Sequence, residues 1–140
     1  MNDLILTTSD QQEIFCAVFS PTTVSNNKVV IINSATGVKQ QFYFSFSKYL
    51  SSLGYTVITY DYRGIGLSKP IQMRQSSGSM RDWGSKDFFS VSNYVINQFP
   101  SYEKYIIGHS VGALIIGMNP DSMLFDKFIF IGTQNAYYGH

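Results

Sequence analysis

Residues 104–117 read K-Y-I-I-G-H-S-V-G-A-L-I-I-G. A short apolar run enters G-H-S-V-G and a second one leaves it. The first suits a strand buried on both faces. The second suits a short helix that Asn119-Pro120 stops. A serine between glycines at such a junction has two explanations. It caps the helix with its hydroxyl, or it is a nucleophile on a tight strand-to-helix turn, where small neighbours let strand and helix approach. In the second case the hydroxyl stands at the carboxyl end of the strand. The first helix amides, that of Val111 included, then point at any oxyanion forming beside Ser110. The strand before and the apolar helix after favour the nucleophile.

The same grammar repeats on both sides of this stretch. K-V-V-I-I-N (28–33), Y-T-V-I-T-Y (55–60) and K-F-I-F-I-G (127–132) are further buried-strand runs. Between 39 and 53 the period changes: Phe42, Phe46, Tyr49, Leu50 and Leu53 recur at three and four, which predicts an amphipathic helix ended by Gly54. A second helix is expected over 82–98, with Phe88, Val91 and Val95 on one face and Gly84 weakening its first turn. Residues 61–79 are rich in Gly, Ser and Pro and read as a long loop. Two β-rich runs, 3–8 and 13–20, flank S-D-Q-Q and predict an antiparallel hairpin. The order is hairpin, then strand and helix in alternation. It predicts one α/β domain over 1–140, a mostly parallel sheet with helices on both faces.

Composition narrows the function. Of 140 residues 44% are hydrophobic and 14% charged, as in a globular chain. The formal net charge of +1, without a basic block, argues against a nucleic-acid or membrane-surface partner. Cys16 is the single cysteine, so an internal disulfide is impossible; it is expected as a small core residue. No run approaches the ~18 apolar residues of a membrane span, and the first Lys or Arg is Lys28, so the expected location is the cytoplasm. Neither a cofactor nor a metal is called for.

Three stretches together carry a family resemblance: V-V-I-I-N-S-A-T-G (29–37), T-Y-D-Y-R-G-I-G-L-S (59–68) and G-H-S-V-G (108–112). In this order and spacing the chain resembles the N-terminal part of the α/β-hydrolase catalytic core, in its serine-aminopeptidase-like branch. The match runs from about Asp3 to Gly132. The resemblance implies Ser110 as nucleophile and the backbone N–H of Val111 as one oxyanion-hole donor. It places the second donor in the loop after Ile32, at Ala35, where Asn33-Ser34 replace the family's His-Gly pair. His109, the variable residue of the motif, is expected to pack or bond locally. Asp61 and Arg63 are expected to be structural, the carboxylate accepting turn amides or pairing with the guanidinium. Tyr62, Trp83, Tyr137 and Tyr138 are expected in the core or on the surface.

In this family the acid and the histidine follow the nucleophile in sequence, after later strands. The chain stops after its sixth strand, so an incomplete core lacking both groups is expected. Asp121 and Asp126 precede the last strand and fall at its amino end, ~20 Å from Ser110 across a six-residue strand. His140 reaches Ser110 only if the tail folds back. Three readings stay open. One is a serine hydrolase for a carboxylic ester or related small acyl substrate, inactive or weak as this chain. A second is a non-catalytic hydrolase core used for binding or assembly. A third, a nucleotide binder, ranks last because no phosphate-binding glycine motif is present. The sheet edge left uncovered is a possible site of self-association.

Overall fold

The computed structural model describes residues 1–68 and 80–132. Six strands form one sheet in the order β1-β2-β4-β3-β5-β6. β1 (Asn2–Thr7) and β2 (Glu13–Phe19) make the antiparallel hairpin, and β2 joins β4 (Thr56–Tyr60) antiparallel. β4, β3 (Lys28–Asn33), β5 (Glu103–His109) and β6 (Lys127–Ile131) are mutually parallel. Each expected strand is present. β3 and β4, at the middle of the sheet, are buried almost throughout, which is why their sequences are continuous apolar runs rather than alternating ones.

Two cores lie on opposite faces. One packs Ile14, Ile31, Ile58, Tyr60 and Ile106 against Phe88, Val91, Val95, Val111 and Ile115. These last come from a helical stretch built as α2 (Met80–Asp82), a π-helical segment (Trp83–Phe88) and α3 (Phe89–Gln98), from α4 (Val111–Leu114) and from the 3-10 turn that follows it (Ile115–Met118). Gly84 sits in the π-helical segment, where an added Cβ would come within 2.9 Å of the Ile115 carbonyl oxygen. The glycine is there for close approach, and the helix runs through it instead of fraying. The other core joins Val30, Ile32, Val57 and Ile107 to Tyr43 of a 3-10 turn (Gln40–Tyr43) and to α1 (Phe44–Ser52).

α1 differs from the amphipathic reading in which face it buries. Phe42 (70% exposed), Phe46 (41%) and Tyr49 (60%) stay in the open, while Ser47 and Ser51 are buried against the sheet. Small serines let the helix lie close to β4. Their hydroxyls donate within the helix, Ser47 to Tyr43 O at 2.8 Å and Ser51 to Lys48 O at 2.9 Å, so no polar group is stranded. Cys16 is buried as expected, and burial pushes its thiol well up, away from reactivity. No helix among the described residues is long and apolar enough to cross a membrane.

Candidate active site

β5 ends at His109, and the chain reverses at Ser110 into α4. Ser110 adopts φ 57° and ψ −116°, a conformation that costs any residue with a side chain on the order of 1–3 kcal/mol. The motif glycines make the reversal possible. A Cβ on Gly108 would lie 2.6 Å from Ala113 Cα, and one on Gly112 would lie 2.7 Å from the Asn33 carbonyl carbon. Ser110 is pinned by its backbone: its N–H donates to Ile131 O at 2.9 Å, and its carbonyl accepts from Ala113 N–H at 3.0 Å. Its half-buried side chain makes no capping bond to α4. The capping explanation of this serine therefore does not describe it.

The two positions expected as oxyanion donors are the next residue in the turn and the loop at the end of the neighbouring strand. The β3–β5 register pairs Asn33 with Gly108, so residues 35 and 110 both stand two positions beyond that pair, at the same end of neighbouring strands. Val111 opens α4, and among the described residues no acceptor meets its N–H. Asn33, in place of the family's histidine, ties the site together. Its Oδ1 accepts from Tyr60 Oη at 2.6 Å and its Nδ2 donates to Gly112 O at 3.2 Å. Ser34 O accepts from Tyr62 Oη at 2.8 Å. Ala35 is placed differently from Val111: its N–H already donates to Tyr43 Oη at 3.0 Å, and that oxygen lies 2.8 Å from His109 Nδ1. Burial pushes the Tyr43 phenol up, against the favourable pull of the Ala35 N–H, which keeps it a neutral hydroxyl at pH 7. It can donate to Nδ1 while accepting from Ala35.

His109 thus bonds locally, as expected, but through Tyr43, which carried no signal in the sequence. Its ring also lies near parallel to Phe42, 6.4 Å between centroids. These two, with Tyr43, Ile32, Phe46, Ile107 and Ile131, line an apolar pocket of about 210 Å³ on the α1 face.

The remaining polar candidates bond partners other than Ser110. The Asp61 carboxylate accepts from Gln40 N at 2.8 Å, Gln40 Nε2 at 3.2 Å and Leu67 N at 3.2 Å. It is a loop clamp. A Cβ on Gly66 would strike this carboxylate, so the glycine of the D-Y-R-G-I-G run serves the same clamp. Arg63 turns the other way and joins Asp10 and Asp87. It gives Asp10 two bonds of 2.7 and 3.0 Å, and Asp87 receives Arg63 Nε and N–H, each at 2.9 Å. Tyr62 and Trp83 stack in the core at 4.8 Å. Asp126 Oδ2 accepts from Lys104 N at 2.8 Å, near the start of β5, at the end of the sheet opposite Ser110. Asp121 lies in the 3-10 turn Pro120–Leu124, ahead of β6. Among the described residues no side chain bonds the Ser110 hydroxyl, and no group of three or more His, Cys, Asp or Glu could hold a metal. Tyr137, Tyr138 and His140 lie outside the described residues.

Known structures share this architecture. The chain superposes on an α/β serine hydrolase without lid from Xanthomonas campestris with a TM-score of 0.78 at 19% identity, over 98% of this chain and 63% of that one. An esterase from Exiguobacterium antarcticum gives 0.69 at 20%, over 94% and 46%. A thermostable carboxyl esterase from Bacillus coagulans gives 0.68 at 16%, over 81% and 37%. The chain thus spans less than two thirds of these neighbours. A comparison with curated protein sequences finds no match. The family model described as serine aminopeptidase, S33, matches residues 25–118, a stretch that includes the loop after β3, the Asp61 clamp and the turn at Ser110. On that match and this fold, the chain belongs to the α/β-hydrolase family of serine-aminopeptidase type.

Proposed function

We propose that Ser110 is the nucleophile of a serine hydrolase acting on a carboxylic ester or related small acyl substrate. The observation that carries this reading is the backbone of Ser110: a strained turn holds a hydroxyl that does not cap α4, next to a Val111 N–H that meets no acceptor among the described residues. In the reaction the Ser110 oxygen attacks the acyl carbonyl carbon. The N–H groups of Val111 and Ala35 receive the developing oxyanion, and the Ala35 amide exchanges Tyr43 Oη for it. The proton leaving Ser110 needs a base, and none stands within hydrogen-bond reach among the described residues. A triad lacking a member typically loses about 10⁴-fold in turnover, leaving a residual ~10³ over water from the oxyanion hole and binding. Weak turnover is therefore the expectation for this chain alone.

A non-catalytic core used for binding or assembly is the second reading. The engaged Ala35 amide favours it, since a working hole would hold that donor ready. Hydrolysis of p-nitrophenyl butyrate separates the two. The first reading expects a slow rate that Ser110→Ala abolishes; a rate unchanged by Ser110→Ala, or none above buffer, supports the second.

A further inference from the structure

Among the described residues one buried side-chain polar atom has no hydrogen-bond partner: the hydroxyl oxygen of Ser34. Ser34 is 1% exposed, so the atom is shut in by the chain and is not left open at an edge. The polar groups next to it are matched. Its own carbonyl accepts from Tyr62 Oη at 2.8 Å, and the Asn33 side chain bonds Tyr60 and Gly112. A buried hydroxyl left unpaired costs stability, and native structures hold few of them. Glycine, which the family has at this position, would avoid that cost.

The place of Ser34 suggests what the hydroxyl serves. Asn33 pairs with Gly108, so Ser34 and His109 each stand one position beyond that pair, and Ala35 and Ser110 two. The loop therefore borders the turn of the nucleophile. An oxygen atom is already held at this loop. Tyr43 Oη accepts from the Ala35 N–H at 3.0 Å, and the Ser34 hydroxyl stands near enough to favour a phenolate there, without the geometry of a hydrogen bond. The phenol oxygen thus stands in for the oxygen of a substrate. We propose that Ser34 Oγ is a side-chain donor of the oxyanion hole, acting with the N–H groups of Ala35 and Val111. The assignment rests on Ser110 being the nucleophile. As Ser110 attacks, the carbonyl π pair moves onto the acyl oxygen. That oxygen displaces Tyr43 Oη and receives the Ser34 O–H beside the Ala35 N–H; Ser34 gives up no proton. A donor that stays unpaired until charge develops stabilises the transition state more than the resting site.

Fluorophosphonate labelling of the 140-residue chain, read together with urea unfolding, tests this. In the labelling Ser110 Oγ bonds phosphorus, fluoride and the hydroxyl proton leave to water, and the phosphoryl oxygen takes the place of the oxyanion. Ser34→Ala should slow labelling at Ser110 about 100-fold. It should unfold at an equal or higher urea concentration, because it removes an unpaired hydroxyl. A merely structural hydroxyl would do the reverse: Ser34→Ala would unfold at lower urea, and its folded fraction would label at the original rate. That result, or an unchanged labelling rate at unchanged stability, overturns the assignment and leaves Ser110 as the nucleophile. Absence of labelling at Ser110 in the unaltered chain removes the nucleophile itself, and the assignment falls with it.

Discussion

The hydroxyl of Tyr43 lies 2.8 Å from Nδ1 of His109, joining the residue before Ser110 to the turn that starts α1. The same oxygen accepts from the Ala35 N–H. One phenol thus bridges the two loops expected to form an oxyanion hole. Tyr43→Phe should cost about 1 kcal/mol or slightly more for the two bonds lost. It should also speed hydrogen exchange at the Ala35 amide while leaving that of Ile107, inside β5, unchanged. Exchange followed by NMR checks this. Equal protection of Ala35 in both proteins would mean that the bond does not form in solution.

Strain at Ser110 is separable from chemistry. Its positive φ suits glycine and penalises every other residue. Ser110→Gly should therefore unfold at higher urea than Ser110→Ala, by roughly 1 kcal/mol. Equal stability of the two variants would show that the turn relaxes in solution.

The glycines of this region are not alike. Gly112→Ala drives a Cβ into the backbone of Asn33 and should cost about 3 kcal/mol or more, since backbone on both sides must move. Gly117→Ala meets nothing within 4 Å and should fall between neutral and about 1 kcal/mol stabilising. Urea titration of both proteins tests the contrast.

Two carboxylates share Arg63 and titrate in opposite senses. Burial pushes Asp87 up to about 6 from 3.8, the guanidinium only tempering it. At the more open Asp10 the hydrogen bonds from Arg63 prevail and hold the carboxyl well below its usual range. Asp10 supports the fold above about pH 4 and loses that support as pH falls further. Asp87 runs the other way. The fold favours its protonated form, an advantage complete below about pH 4 and lost as pH rises to about 6, worth at most about 3 kcal/mol. Relative to Asp87→Asn, the unaltered protein should lose stability across that window. A difference that stays flat from pH 4 to 7 in thermal melts would contradict the assignment.

The fold was legible because buried parallel strands write continuous apolar runs, as K-V-V-I-I-N and Y-I-I-G do, and because helices interrupt them at the expected points. The orientation of α1 was not. Periodicity locates an apolar stripe but not what covers it, and here serines, whose hydroxyls bond their own helix, take the inner face. At the candidate site, the tight turn at Ser110 and Val111 is legible as a backbone feature because glycines mark it. Tyr43 was hidden: it is 66 residues from His109 and belongs to no motif, so only the packing of the 3-10 turn over β5 brings the two together. Asn33 stands out in the sequence as a departure from His-Gly. Its bridge from Tyr60 to Gly112 needs the strand order β4-β3-β5, which spacing alone does not specify.

The central proposal is that Ser110 is a nucleophile with no activating base in hydrogen-bond reach among the described residues. Reaction of the pure chain with a fluorophosphonate, followed by mass spectrometry of the modified peptide, tests it most directly. The account predicts slow, sub-stoichiometric modification confined to Ser110 and absent from Ser110→Ala. Rapid stoichiometric modification of Ser110 would show that a base is in place, and modification elsewhere with Ser110 untouched would show that it is not the nucleophile.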